Sequence, residues 1–389
     1  MYKAKLAENN VYEATLERYR ILFTRFDRIV ISFSGGKDST ATLNCALTIA
    51  EEMNKLPLDV YFFDEEAIHP ETEEYVRRIA SDPRIRFKWI CIPIQHRNAC
   101  SRTEPFWYPW DPKKKNLWVR PMPKDAITEI KGFYHGCTMP DLAHKVYDAD
   151  VGTIADCRGL RATESPRRRR AVLTKLTDNF IGEARDGFNY PCSPIYDWST
   201  VDVWTAPKLF NWDYNHAYDL MAMAGVSPNY QRVCPPFGEE PLAALNMYAI
   251  LWPDLWDKMI ARVDGAATAA RYARTELYSY RSQEKPEKMT WKQYCFFLLN
   301  LWPVENRKII ANSLTNIIAN HQQKTKRPIH EDQTDQLTGL SWKNLAQIID
   351  RGDLKGRKKQ LLLMKANSQI KKMGITKEEL FELDAGDRY

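Results

Sequence analysis

The sequence predicts an α/β fold: a doubly wound, mainly parallel sheet followed by a mainly helical C-terminal extension. Three observations carry this. Short β-branched and aromatic runs at 29–33, 59–63 and 87–92 alternate with helix-length segments, the βαβαβ rhythm of a parallel sheet. These runs are close to continuously apolar, as strands buried on both faces are. The first breaks at Ser34-Gly35-Gly36-Lys37-Asp38-Ser39 directly into a helical pattern, the junction at which such sheets bind ligands.

Taken in order, residues 1–27 read as an amphipathic helix, with Leu16, Tyr19, Leu22, Phe23 and Phe26 on its apolar face. A helix over 38–54 follows the first strand, and a helix through Ala80 begins at His69-Pro70-Glu71 after the second. Residues 100–124, rich in Trp, Pro and Lys, read as a long ordered loop or insertion. A fourth strand is expected within 152–160, then a very basic segment. Residues 190–204 hold a further strand and a helix start capped by Ser199 or Thr200. From about 207 the pattern is mostly helical. The division expected is a nucleotide-binding domain over 1–240 and a helical extension over 241–389.

Composition narrows the class. The chain has 389 residues, 44% hydrophobic and 27% charged, with 12 Trp and a net charge of +6. That is a packed globular protein, and the charge permits an anionic partner without demanding one. No apolar run approaches membrane-spanning length, and no signal-peptide pattern is present, so a cytoplasmic location is expected. The eight cysteines include no CxxC pair, which excludes a zinc ribbon or finger.

The glycine loop is built for an anion. Gly35 and Gly36 allow dihedrals in which successive N–H groups converge, and the helix that follows adds its positive N-terminal end. Ser34 and Ser39 offer hydroxyl donors and Lys37 a charge, while Asp38 either caps the helix or helps hold Mg²⁺. Further on, Arg158, Arg161, Arg167, Arg168, Arg169 and Arg170 crowd beside Glu164 after Gly159. Arg161 and an Arg of the 167–170 run suit a bidentate clamp on phosphate or sulfate. Arg168 to Arg170 are expected to face outward, where nucleic-acid contact competes with simple solvation. Asp64 and Glu65, at the end of the second strand, could meet ribose hydroxyls or Mg²⁺, or cap the next helix. The aromatic and basic run 107–120 suits stacking on bases, or packing of a long loop. Cys137, Cys157, Cys192 and Cys234 could gather around an iron–sulfur cluster, or serve as small buried hydrophobes.

Ser34 to Ser39 after a strand resembles the PP-loop of the ATP pyrophosphatase superfamily, of the adenine nucleotide alpha hydrolase-like fold. Three more segments resemble its phosphoadenosine phosphosulfate (PAPS) reductase branch: DEEAIHPETEEYV at 64–76, GLRATESPRR at 159–168 and PIYDWSTVDVW at 194–204. The resemblance implies ATP or a related adenine nucleotide as ligand, with Mg²⁺. It implies cleavage of ATP to AMP and pyrophosphate as a substrate is adenylated. Lys37 and Asp38 would be catalytic. Ser34, Gly35, Gly36, Lys37, Asp38, Ser39, Asp64 and Glu65 would hold the nucleotide. Arg158, Gly159, Arg161, Glu164 and Arg167 would hold the substrate.

The departures redirect the chemistry. The E-C-G-x-H context of the reductases' catalytic cysteine is not found, and Cys295 sits in an apolar helical stretch. Sulfite production by the chain's own thiol is therefore not expected. The C-terminal region, with RVCPPFGEEP and ARVDGA, resembles a subgroup borne by phages, plasmids and genomic islands, the IbrA-type proteins. These are often encoded beside a ParB-like partner and are more distantly similar to DndC. The expected function is nucleotidyl activation or sulfur-related transfer. The rivals are a sulfonucleotide reductase using an external thiol, and a non-catalytic nucleotide-sensing regulator that binds DNA or a ParB-like partner.

Overall fold

In the computed structural model the described residues are 9–101, 103–173, 179–184, 186–228, 231–238, 245–272, 285–325 and 327–351. The chain forms two compact units. The first comprises Met1–Ser101 and Phe106–Arg274, the second Arg102–Pro105 and Thr275–Tyr389. The first unit thus runs past the residue-240 division drawn from sequence, because helices beyond 240 are tied into it, as shown below.

Helix α1 (Val11–Arg25) starts at Asn10, whose side chain accepts from Tyr12 and Glu13 while Glu13 reaches back, a capping box. It buries Tyr19, Leu22 and Phe23. Then come β1 (Arg28–Ser32), α2 (Lys37–Glu52), β2 (Leu58–Phe63), α3 (Pro70–Ala80) and β3 (Ile85–Ile90). After β3 the insertion forms a small antiparallel ribbon, β4 (His96–Arg97) with β5 (Phe106–Trp107), and α4 (Met139–Leu142) follows. Next are β6 (Ile154–Arg158), α5 (Pro166–Leu173), β7 (Asn189–Cys192) and α6 (Thr200–Leu209), the last capped by Ser199. Helices α7 (Ala217–Met223), α8 (Asn246–Leu251), α9 (Pro253–Arg262) and α10 (Ala266–Tyr272) complete the unit. The second unit holds α11 (Trp291–Asn300), α12 (Val304–Lys324) and α13 (Trp342–Arg351), packed around Trp291, Leu298, Trp302, Leu345 and Ile349.

The main sheet has the order β3-β2-β1-β6-β7, and every pair in it is parallel. The chain winds from β1 outward to β3, then restarts on β1's other edge with β6. The order therefore reverses between β1 and β6, and an open crevice lies beyond their carboxyl ends. Apolar side chains fill both faces. Ile29, Ile31, Val60 and Phe62 face one core, while Val30, Tyr61, Phe63 and Ile154 face the other, the period of two expected of strands.

The aromatic insertion packs inward. Trp107 and Trp110 are buried, so they are not available as a platform for bases. Their anchor is the acidic end of β2. Asp64 accepts from Trp89 Nε1 at 2.7 Å and pairs with Arg120. Glu66 is fully buried, at a positive φ of 61°. It accepts from Trp110 N at 2.6 Å and Val119 N at 3.2 Å, and Arg262 of α9 grips it through Nε at 2.9 Å and Nη2 at 3.1 Å. The same Arg262 donates to the Tyr108 carbonyl at 2.6 Å. One carboxylate thereby joins β2, the insertion and α9.

Removing one partner of a buried pair leaves a desolvated charge, which costs on the order of 3–5 kcal/mol. Arg262→Leu should lower the unfolding free energy by about that much, and Glu66→Gln added to it should recover a large part. Denaturant titrations of the two variants check this; an Arg262→Leu protein of unchanged stability would show that the pair does not hold the fold.

Candidate functional site

The loop after β1 is shaped by its own hydrogen bonds. Gly35 takes φ +71°, which an L side chain resists, and its carbonyl accepts from Asn215 Nδ2 at 2.9 Å. Ser34 Oγ lies 3.1 Å from Ser39 Oγ, and Ser39 Oγ donates to the Gly36 carbonyl at 2.9 Å. Gly36 caps α2 without a side-chain bond, and its own N–H donates to Ser34 Oγ at 3.3 Å. Lys37 N is met by the Tyr218 hydroxyl at 3.0 Å.

The opposite wall is the turn after β6. A Cβ on Gly159 would stand 2.7 Å from the Asp38 carbonyl carbon and 2.8 Å from Ser39 N. Glycine is needed there because two backbones touch. This brings Arg161 onto the loop. It is buried, and its Nε donates to Asp38 Oδ1 at 2.5 Å. Arg158 is folded back on Asp156, at 2.8 and 2.5 Å. Glu164 Oε2 accepts from Arg161 N at 3.0 Å and pairs with Arg168.

Between these walls lies a cavity of about 580 Å³. Ser34, Gly36, Lys37, Asp38, Ser39, Arg158, Gly159, Arg161 and Glu164 all line it, so most of the residues singled out in the sequence meet in one place. The Lys37 ammonium donates to the Gln231 carbonyl at 2.9 Å and lies 3.8 Å from Asp38. Burial lowers its pKa, opposed by the Asp38 charge.

Several placements differ from expectation. Asp64 does not line the cavity, since Arg120 and Trp89 occupy its carboxylate. Glu65 lines an adjoining smaller chamber instead. Arg168 lines the cavity, paired with Glu164, while its side chain stays 41% exposed, and Arg169 and Arg170 are exposed. The side chain of Arg167 lies outside the described residues. The cysteines do not converge: Cys157 and Cys192 pair in register on β6 and β7 in one core, Cys137 sits in the other, and Cys234 lines the cavity. Among the described residues no group of three His, Cys, Asp or Glu side chains could hold a metal. The sequence reading missed Tyr218, Gln231 and Arg232. Only Arg232, beside Cys234 in RVCPP, carried a signal.

Residues 28–233 match the phosphoadenosine phosphosulfate reductase domain, and residues 225–376 match a domain of unknown function, DUF3440. The chain is 32% identical over 337 residues to the uncharacterized protein YbdN of Escherichia coli (strain K12), covering 81% of each. Among solved structures it is similar to the PAPS reductase of Candida auris in a phosphate complex, at 14% identity. That match covers 60% of this chain and 97% of the other, with a TM-score of 0.31. It is also similar to the FMN adenylyltransferase of Candida glabrata, at 13% identity over 56% and 62% of the two chains, with a TM-score of 0.32.

Glu65 yields a pH test. Burial, and then the neighbouring Asp64 charge, push its carboxyl from the ordinary 4.5 up to about 8. A raised carboxyl favours the folded state most at low pH, and that contribution is lost as pH rises from the unfolded value through the folded one. The stability difference between the parent protein and Glu65→Gln should therefore shift against the parent between pH 4.5 and about 8. A difference that stays flat across that window in denaturant titrations would show that Glu65 titrates as an ordinary surface carboxyl.

Proposed function

Because the chain belongs to the phosphoadenosine phosphosulfate reductase domain family, we propose that its cavity binds the phosphates of an adenine nucleotide. We read the protein as an ATP pyrophosphatase-type enzyme that activates a substrate by adenylation or acts in sulfur-related transfer. The observation that carries the reading is the meeting of Lys37, the N-terminus of α2 and Arg161 on one cavity at the sheet's switch point. Helix N-termini and buried cations favour anions. Those same donors, fixed before the reaction, would stabilise charge that develops on a transferred phosphoryl group.

Mg²⁺ fits this arrangement in a limited way. Asp38 is the carboxylate nearest the loop and lines the cavity with Glu164. Mg²⁺ commonly takes one or two carboxylates and leaves its other positions to phosphates and water. Bound there it would screen phosphate charge. The chain's own part is to seat the nucleotide with Lys37 and the loop N–H groups and to turn the substrate end toward Arg158, Arg161 and Arg168.

A second reading is a sulfonucleotide reductase supplied with an external thiol; the arginines beyond the loop favour it, since they suit a sulfate as well as a phosphate. Membership of the IbrA-type subgroup, with its ParB-like partner, and any nucleic-acid contact through the exposed Arg169 and Arg170 are extensions of the same proposal.

Lys37→Ala should weaken ATP binding about tenfold or more while leaving the fold intact, because a charged hydrogen bond contributes roughly 1.5–3 kcal/mol. Calorimetry reads this, and unchanged affinity would remove the phosphate assignment. The nucleotide product separates the chemistries. AMP and pyrophosphate from Mg-ATP with an acceptor support adenylation; sulfite from PAPS and an added thiol supports the second reading; binding without turnover under both conditions points to a regulator.

A further inference from the structure

Three N–H groups of the loop after β1 are met by hydroxyls. Ser34 N donates to Ser39 Oγ at 3.2 Å, Gly36 N to Ser34 Oγ at 3.3 Å and Lys37 N to the Tyr218 hydroxyl at 3.0 Å. The serine hydrogens are spent inside the loop. Ser39 Oγ donates to the Gly36 carbonyl at 2.9 Å, which leaves Ser34 Oγ as the donor of its 3.1 Å pair with Ser39. Tyr218 differs. It lines the large cavity, and among the described residues no acceptor meets its hydrogen. Burial raises its pKa far above the ordinary value of a phenol, so the hydroxyl keeps that hydrogen at neutral pH.

The side chain is also fixed in place. Tyr218 belongs to α7, whose start is tied to the loop by Asn215. Nδ2 of Asn215 donates to the Gly35 carbonyl at 2.9 Å and to Thr72 Oγ1 at 2.8 Å, while its Oδ1 accepts from Ala217 N at 3.0 Å. Asn215 is 1% exposed and Tyr218 is 3% exposed. The tyrosine ring stands edge-on to Trp204 of α6, with centroids 4.9 Å apart. The Lys37 ammonium lies 5.4 Å from the centre of the same ring and lines the same cavity. A ring so enclosed holds its hydroxyl over Lys37 N, and an anion reaching this end of α2 meets the hydroxyl first. A hydroxyl that accepts from one N–H is polarised to donate more strongly. A donor already fixed in position needs no reorganisation when charge arrives.

We propose that Tyr218 is a ligand of the bound phosphate: its hydroxyl accepts from Lys37 N and donates to a phosphoryl oxygen, carrying the positive end of α2 into the cavity. The proposal rests on the nucleotide reading above. It adds to the phosphate site a donor that comes from α7, about 180 residues beyond the glycine loop.

Calorimetry with ATP, inorganic tripolyphosphate and adenosine tests it, because the sign of the effect separates a ligand from a placeholder. In Tyr218→Phe, which keeps the ring and loses the donor, ATP and tripolyphosphate should each bind about tenfold more weakly, with adenosine unchanged. Unchanged or tighter binding of the two phosphates would show that the hydroxyl only occupies the place of a phosphoryl oxygen, and overturns the proposal. An equal loss for adenosine overturns it too, as the sign of a merely structural role. Placing 3-fluorotyrosine at position 218 keeps the hydroxyl and makes it a stronger donor, so ATP should bind more tightly there; no gain speaks for the placeholder. A parent protein that binds neither ATP nor tripolyphosphate overturns the phosphate reading itself, and the role of Tyr218 falls with it.

Discussion

The buried carboxylate of Glu66 is the constraint on which the architecture of the first unit depends. It sits at the end of a strand whose six residues are all buried, where an uncompensated charge would be prohibitive. Four donors answer it: two from Arg262 and two backbone N–H groups of the insertion. Because those donors come from segments far apart in sequence, satisfying one charge dictates where the aromatic insertion and α9 must lie. The helices that follow β7 are thereby drawn to the side of the sheet where the ligand crevice opens. Tyr248 and Trp252, which hold His69, are placed by the same arrangement.

Asp64 shows the companion effect. A strand-end carboxylate in an α/β sheet invites assignment to a ligand, yet here Arg120 and Trp89 satisfy it internally. Between two structural acids, Glu65 alone turns to the crevice. Three consecutive acidic residues thus have separate fates, and what distinguishes them is which face of the chain each occupies as the strand ends and the φ of Glu66 turns positive.

Much of this was legible in the sequence where the physics is local. Apolar runs, glycines and helix caps placed β1, β2, β3, β6 and the loop from Ser34 to Ser39 to within a residue or two. Gly159 stood out in the sequence within the segment expected to hold the substrate, and its contact with the start of α2 sets that segment beside the loop. What stayed hidden depends on contacts between distant segments. Gln231 lies in a region whose pattern reads as mostly helical, and nothing in it announces that its carbonyl will meet Lys37. Trp107 and Trp110 read equally well as a stacking surface or a packed loop, because only the buried Glu66 decides between them. Arg168 was expected outward, and helix phase after Pro166 cannot reveal that Glu164 would hold the partly exposed side chain at the cavity mouth.

The cations of the cavity are already engaged before any ligand arrives: Arg161 by Asp38, Arg158 by Asp156, Arg168 by Glu164 and Lys37 by a main-chain carbonyl. Binding an anion here is an exchange of partners, and the affinity is the difference between two sets of contacts, much smaller than the number of arginines suggests. The exchange also has a polarity. A bare phosphate that took Arg161 would leave Asp38 with the Lys37 ammonium alone, 3.8 Å away, whereas one that arrived with its own divalent cation would return a second positive charge to that carboxylate as it removed the first. The cavity would thus discriminate by the company an anion keeps, and favour the metal-bound form of a ligand over the naked one.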